Sequence, residues 1–280
     1  MQKTYDFMRA NPRRRSGLLA ALACGGLLLA QPLWAQGGAG RPLRILAASD
    51  LKFALTRITN DYQQQTGQAF QLTFGSSGNM ARQIQQGLPA DLFMSADEAL
   101  VLQLAGAGQT RALAYGADQG ALYALGRLAL VTAPNSTLPL DTQMQGIRQQ
   151  WAQIGKLAIA NPEHAPYGRA AQQALQTVGL WSKAQTRLVL GENIAQATQF
   201  VTTGAAEIGI SALSLAQAPE LQGQLRYLAL PDSLHAPLRQ RMVLLNGASP
   251  AAVEFYRYLQ QPAALAVLAR YGFSAPPSAP

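Results

Sequence analysis

The fold is decided by a turn of four small residues, which lies in the stretch Phe74-Gly75-Ser76-Ser77-Gly78-Asn79-Met80-Ala81-Arg82-Gln83-Ile84. The apolar residues 70–74 predict a strand, and the residues after the turn repeat at helical spacing. Small residues let a backbone turn sharply and approach a ligand closely. The first N–H groups of a helix have no partner and carry partial positive charge, so such a turn can hold an anion. The alternative is an ordinary turn in which a serine caps the helix.

Similar turns follow other predicted strands, and together the four centre on Ser49, Ser76-Ser77, Pro166-Tyr167 and Asn193-Ile194. Strands that alternate with helices predict an α/β fold with mostly parallel sheets flanked by helices. Ligands of such sheets bind outside the carboxyl ends of the strands. The apolar segment 122–132, which is broken at Gly126-Arg127, is the predicted crossing into a second domain. Two turns precede this crossing and two follow it, which predicts two facing lobes that each offer two helix starts.

The first 35 residues have the pattern of a signal peptide, which predicts export to the periplasm. A charged segment ends at Arg15, the apolar segment 17–30 is too short to span a membrane, and Leu33-Trp34-Ala35 is a candidate cleavage site. A twin-arginine signal is an alternative to the general secretory signal that we favour. Cys24 is the only cysteine and lies in the apolar segment, so we expect the exported chain to contain no disulfide and no cysteine metal site.

Half of the net positive charge belongs to this segment. The whole chain has 22 Lys and Arg against 14 Asp and Glu, whereas the part after residue 35 has 17 against 13, a net charge of +4. No basic cluster interleaved with aromatic residues occurs, which argues against nucleic-acid binding. The exported chain is long enough to form two domains.

The sequence offers little for catalysis or for a metal ion held by side chains. The only two histidines, His164 and His235, have no metal-ligand spacing, and no nucleophile has a recognisable base nearby. Asp91 and Asp97 are a candidate pair of carboxylates, but we expect structural capping from them. Converging helix starts instead favour a small oxyanion held by neutral donors, because N–H bonds to an anionic oxygen are strong.

Several stretches resemble the periplasmic molybdate-binding proteins of ABC importers, over about residues 43–273. They are Ala47-Ala48-Ser49, Ser76-Ser77 with Ala81-Arg82-Gln83-Ile84, Pro89-Ala90-Asp91-Leu92-Phe93-Met94-Ser95-Ala96-Asp97, Pro162-Glu163-His164-Ala165-Pro166 and Arg270-Tyr271-Gly272-Phe273. The resemblance implies a two-lobed type II periplasmic binding-protein fold that catches molybdate or tungstate between its lobes. We expect residues 41–123 and 233–280 in lobe 1 and residues 124–232 in lobe 2.

The resemblance also implies the residues of the binding site. The oxyanion would be bound by the side chains of Ser49 and Ser77 and by the backbone at Tyr167 and Ile194, so that molybdenum is held only as its oxyanion. No catalysis and no resident cofactor are implied, and the expected partners are the oxyanion and a membrane ABC permease of which this protein, as a monomer, is the carrier. Sulfate or another tetrahedral oxyanion is the alternative ligand, and a periplasmic hydrolase is the alternative class of protein.

Two positions depart from the family pattern. Ala212 stands where some members have a tyrosine that contacts the ligand, and Tyr167 is a candidate to fill that space. Asp50 follows Ser49, where a carboxylate that faced the cleft would repel a dianion. We therefore expect Asp50 to turn aside and cap the helix that begins near Leu51.

Overall fold

The computed structural model describes residues 41–113 and 119–276. The predicted signal peptide, residues 1–35, lies outside them. Within the described residues, no helix is both long and apolar enough to cross a membrane.

The first of two sheets forms the core of lobe 1 and has the strand order β2-β1-β3-β10-β4. Its strands are β1 (Leu43–Ala48), β2 (Phe70–Gly75), β3 (Leu92–Ser95), β4 (Ala121–Gly126) and β10 (Leu238–Leu244). β1 pairs in parallel with β2 and β3, whereas β10 is antiparallel to its neighbours β3 and β4. Only β10 therefore runs against the other four strands.

The second sheet repeats this arrangement in lobe 2, with the strand order β7-β6-β8-β5-β9. Its strands are β5 (Leu128–Thr132), β6 (Leu157–Ala160), β7 (Leu188–Gly191), β8 (Ile208–Ala212) and β9 (Arg226–Ala229). Here β6 pairs in parallel with β7 and β8, and β5 is antiparallel to β8 and β9. In both sheets the reversed strand is the one that follows a crossing between lobes.

Helices flank both sheets and bury their apolar faces against the strands. They are α1 (Lys52–Thr66), α2 (Ser77–Gln85), α3 (Glu98–Gly106), α4 (Gln145–Gln149), α5 (Pro166–Thr177), α6 (Trp181–Ala184), α7 (Ile194–Thr202), α8 (Leu213–Ala216), α9 (Pro250–Tyr258) and α10 (Pro262–Arg270). α1 buries Ala54, Leu55 and Ile58, which recur at helical spacing, and it ends at Gly67 in the left-handed conformation. The predicted two-lobed α/β fold with mostly parallel sheets is confirmed.

The chain crosses between the sheets twice. It leaves the first sheet at Gly126 and enters the second at Leu128, and it returns between Ala229 and Leu238. The boundary expected after residue 123 therefore falls inside β4, three residues before the change of sheet. That expected at residue 233 falls in the returning connection.

Candidate functional site

The carboxyl ends of the parallel strands of both lobes meet at one small cavity. The turns after β1, β2 and β3 reach it from lobe 1, and the turns after β6 and β7 reach it from lobe 2. The lining of this cavity consists of Ala48, Ser49, Asp50, Gly75, Ser76, Ser77, Ala96, Ala165, Pro166, Tyr167, Asn193 and Ile194. All four residues predicted to bind an oxyanion are thus brought together, and their role as ligands stays a prediction.

The two predicted serines are held so that their hydroxyl groups can donate. The Oγ of Ser77 accepts a hydrogen bond from the N–H of Ala96 at 3.0 Å, and the Oγ of Ser49 accepts one from the N–H of Ala195 at 3.2 Å. Each serine is almost fully buried. Because each oxygen already accepts from a backbone N–H, its own proton is free to point at another acceptor.

Three helices direct their first turns at the same cavity. Ser77, Tyr167 and Ile194 lie in the first turns of α2, α5 and α7, each of at least nine residues. Within the described part of the chain, the backbone N–H groups of these three residues donate to no acceptor. N–H groups of this kind, together with the partial positive charge of a helix start, favour an anion.

The lining includes no Lys, Arg or His, and Asp50 is its only ionisable acid. The arrangement can therefore hold an anion through neutral donors alone. Because its donors come from two lobes and from several directions, it suits a compact ligand with acceptor oxygens on all sides.

The expectation that Asp50 caps a helix is wrong. Its side chain is buried between the lobes, where its Oδ2 accepts from the hydroxyl of Tyr167 at 3.0 Å and from the Nε2 of Gln240 at 2.7 Å. Among residues 41–113 and 119–276, its Oδ1 has no hydrogen-bond partner. Burial raises the pKa of Asp50 to about 6, against the opposing effect of the bonds from Gln240 and Tyr167.

The groups that face Asp50 are neutral. Burial, reinforced by the nearby carboxylate of Asp50, raises the pKa values of Tyr123 and Tyr167 well above the usual value of 10.0. Both tyrosines therefore keep their protons at ordinary pH, and they act as hydrogen-bond donors to Gln240 and Asp50 respectively.

Comparison with known proteins identifies the family. A family model described as bacterial extracellular solute-binding protein matches residues 43–274. The chain belongs to this family.

Relatives of this solute-binding protein are matched along nearly their whole length. The molybdate-binding protein ModA of Azotobacter vinelandii is 33% identical over 261 residues, which are 92% of this chain and 97% of the relative. ModA of Escherichia coli (strain K12) is 30% identical over 242 residues, with coverages of 83% and 88%. The solved structure of the Azotobacter vinelandii periplasmic molybdate-binding protein matches with a TM-score of 0.75 at 29% identity, over 84% of this chain and 99% of that chain. The resemblance read from the sequence is confirmed.

Around the cavity, this solute-binding protein has further contacts between its lobes. The N–H of Gly78 donates to the carbonyl oxygen of His164 at 3.0 Å, and the Oγ of Ser76 donates to the same oxygen at 2.6 Å. The Nδ1 of His164 lies 2.9 Å from that Oγ, and Asn79 bonds Glu192 across the same gap. A Cβ on Gly78 would clash with the His164 carbonyl, so close approach of the lobes requires glycine there.

The other ionisable residues singled out in the sequence have structural contacts. Asp97 caps α3 as predicted, by accepting from the N–H of Ala99, and it also pairs with Arg169 of lobe 2 at 2.5 Å. The hydrogen bonds that Asp91 accepts in the described part of the chain come from Arg41 and Arg44 and not from the first turn of a helix. Asp91 is buried at the start of β3 and pairs with Arg41. His235 is buried, with its Nδ1 2.8 Å from the carbonyl oxygen of Ala236.

Two members of the site region were not found from the sequence. Gln240 and Tyr123 are fully buried on the strands that lead between the lobes, and the hydroxyl of Tyr123 donates to the Oε1 of Gln240 at 2.6 Å. The pairing of β10 with β4 is irregular at Gln240, which is the kind of bulge that re-aims a side chain. Neither residue lies in a turn after a strand, so the pattern that found the cavity could not mark them.

Proposed function

We propose that this protein binds molybdate or tungstate between its two lobes and delivers it to a membrane ABC permease. The observation that carries the proposal is the convergence of Ser49, Ser77, Tyr167 and Ile194 on one cavity without a cationic side chain. Two of these residues offer hydroxyl groups and two offer backbone N–H groups. Each lobe supplies two of the four residues, so that neither lobe alone completes the site.

Neutral donors suit an oxyanion that must be both bound and released. A hydrogen bond to an anionic oxygen is roughly twice as strong as a neutral one, and three helix starts each add partial positive charge. Because hydroxyl and backbone donors are positioned by strands and helices, their spacing sets the radius of the ion that fits. Charge alone would attract any dianion, so selectivity among tetrahedral oxyanions depends on this radius.

The family supports a carrier and not a catalyst. Relatives in Azotobacter vinelandii and Escherichia coli are named molybdate-binding proteins, and the chain has the same fold. We infer that this protein has no enzymatic activity and no resident cofactor, and that it acts as a monomer in the periplasm after removal of residues 1–35. Closure of the lobes over the ion would present the loaded form to the permease.

Calorimetric titration with molybdate, tungstate, sulfate and phosphate tests the proposal. We expect molybdate or tungstate to bind with a stoichiometry of about one and far more tightly than sulfate or phosphate. A strong preference for sulfate would show that sulfate, and not molybdate, is the ligand. Absence of binding to all four ions, together with turnover of phosphate or sulfate esters, would favour the hydrolase instead.

A further inference from the structure

A buried hydrogen-bonded network joins the two lobes beside the cavity. We call the set Asp50, Tyr167, Gln240 and Tyr123 the cross-lobe network. Asp50 accepts from both Tyr167 and Gln240, and the Nε2 of Gln240 also lies 3.1 Å from the hydroxyl of Tyr167. Tyr123 completes the network by donating to Gln240. All four side chains are buried.

Three of these residues belong to lobe 1, and only Tyr167 comes from lobe 2. Asp50 follows β1, Tyr123 lies on β4 and Gln240 lies on β10, so their mutual bonds persist when the lobes rotate apart about the crossing strands. The bond from the hydroxyl of Tyr167 must break in that motion. The carboxyl of Asp50, which accepts the bond from Tyr167, is therefore already oriented by Gln240 before lobe 2 closes.

The hydroxyl of Tyr167 can reach lobe 1 because Gly126, at the first crossing between the sheets, has no side chain. A Cβ on Gly126, the last residue of β4, would clash with the hydroxyl of Tyr167 and lie 2.6 Å from the Nε2 of Gln240. A side chain at this position would keep Tyr167 from reaching Asp50. Packing alone does not require this approach, because the aromatic ring could be buried without its hydroxyl crossing the strand.

Tyr167 also reaches the oxyanion site with its backbone. Its N–H is in the first turn of α5 and donates to no acceptor in the described part of the chain, while its hydroxyl bonds Asp50. One residue thus connects the ligand position to a lobe-closing bond. We propose that the hydroxyl of Tyr167 and the carboxyl of Asp50 form a latch that holds the lobes closed, which makes Tyr167 a positioning residue whose side chain keeps its N–H on the oxyanion.

This inference rests on the proposed function, because it names what holds the same site closed. The latch makes a kinetic prediction that a purely structural role does not make. Loss of the bond should speed ligand release and should leave the ligand-free, open protein as stable as before. A residue that served only packing would keep that role as phenylalanine, so its loss of the hydroxyl would leave the release rate unchanged.

The test compares Tyr167→Phe with Tyr271→Phe. Tyr271 makes the same type of bond between the lobes, from its hydroxyl to the Oε1 of Glu220 at 3.0 Å, but Glu220 is exposed and lies outside the cavity lining. Molybdate affinity would be measured by calorimetry, its release rate by stopped-flow fluorescence, and the melting temperature of each ligand-free variant by scanning calorimetry.

We expect Tyr167→Phe to weaken molybdate binding about tenfold, mainly through faster release, with an unchanged melting temperature of the ligand-free protein. Tyr271→Phe should change the affinity less than about twofold, because a bond to an exposed carboxylate contributes little. Wild-type affinity in Tyr167→Phe, or equal losses in both variants, would overturn the latch. If the wild type bound none of the oxyanions, the proposed function itself would fail, and the latch with it.

Discussion

Asp50 and Asp91 are both buried carboxylates of lobe 1, but they lie at opposite edges of the sheet. Asp50 is at the carboxyl edge, where the parallel strands end, and Asp91 is at the amino edge, where they begin. Asp91 has a charged partner, whereas the partners of Asp50 are neutral. Asp91 precedes β3 and receives two hydrogen bonds from the guanidinium of Arg41 and one from the backbone N–H of Arg44. Asp50 follows β1 and receives hydrogen bonds from the neutral side chains of Tyr167 and Gln240.

Their protonation follows these surroundings. Burial acts to raise the pKa of both groups, but Arg41 and the N–H of Arg44 outweigh it at Asp91, whose pKa is lowered. At Asp50 burial prevails, and the pKa rises to about 6. At the amino edge, the charge of Asp91 is thus neutralised by Arg41. At the carboxyl edge, no cationic side chain of the described residues lines the cavity where an oxyanion would bind. We therefore expect substitutions at the amino edge to change stability and substitutions at the carboxyl edge to change ligand binding.

The largest expected effect concerns Asp50. Its pKa in the closed form is about 6, and we expect it to return towards the ordinary value of 3.8 when the lobes open and water reaches the carboxyl, so closure should take up a proton between these values. Binding should therefore be strongest at low pH and should weaken as the pH rises through this window, by up to about 3 kcal/mol or roughly 100-fold. A bound dianion repels the carboxylate of Asp50 and so raises its pKa further, which moves the upper limit of this pH window higher.

Asp50→Asn is the variant that isolates this effect, because it keeps an oxygen that can accept from Tyr167 and removes the charge. The ratio of the wild-type to the variant dissociation constant, measured by calorimetry in the same buffers, cancels any titration of the ligand. We expect this ratio to approach one below the ordinary pKa of 3.8 and to rise with pH up to about 6. A ratio that does not change with pH would show that the charge of Asp50 does not oppose binding.

The next largest effect concerns the neutral donors. Ser77→Ala removes a hydroxyl that we expect to donate to the oxyanion, at a cost of about 1.5–3 kcal/mol, or tenfold or more in affinity. His164→Gln and His235→Gln should weaken binding less, because neither imidazole lines the cavity. Calorimetric affinities of the three variants decide the point, and wild-type affinity in Ser77→Ala would remove Ser77 from the site.

The smallest effect on binding is expected at Asp91, on the amino edge, where we expect no change in molybdate affinity. Asp91→Ala leaves the backbone N–H of Arg44 without its side-chain acceptor, which costs about 1–3 kcal/mol of unfolding free energy. Urea unfolding would measure this loss, and calorimetry should return the wild-type molybdate affinity. An affinity loss as large as that of Ser77→Ala would mean that the two edges are not independent.

Much of the fold and of the candidate site could be predicted from local patterns in the sequence. A strand, a few small residues and a helical repeat are read within about 15 residues, which is why the turns at Ser77 and Ile194 could be predicted. The break at Gly126-Arg127 also marked the first crossing, although the end of β4 depends on its pairing with β10 and could not be read from the segment alone.

The role of Asp50 could not be predicted in the same way. A capping rule considers only neighbours along the chain, whereas the partners of Asp50 are 117 and 190 positions away, at Tyr167 and Gln240. The contact with Gln240 exists only after the first sheet has formed, and the contact with Tyr167 exists only after the two lobes have formed and closed. The reversed direction of β5 and β10 has the same origin, because it follows from the crossings between lobes and not from the composition of either strand.

A crystal structure of the molybdate complex, with the metal located by its anomalous scattering, tests the central claim most directly. We predict one molybdenum peak between Ser49 and Ser77, with its oxygens within hydrogen-bond distance of both hydroxyl groups and of the N–H groups of Tyr167 and Ile194. A peak beside a cationic side chain such as Arg169, with the cavity between the serines unchanged, would contradict the claim that neutral donors at the carboxyl edges bind the oxyanion.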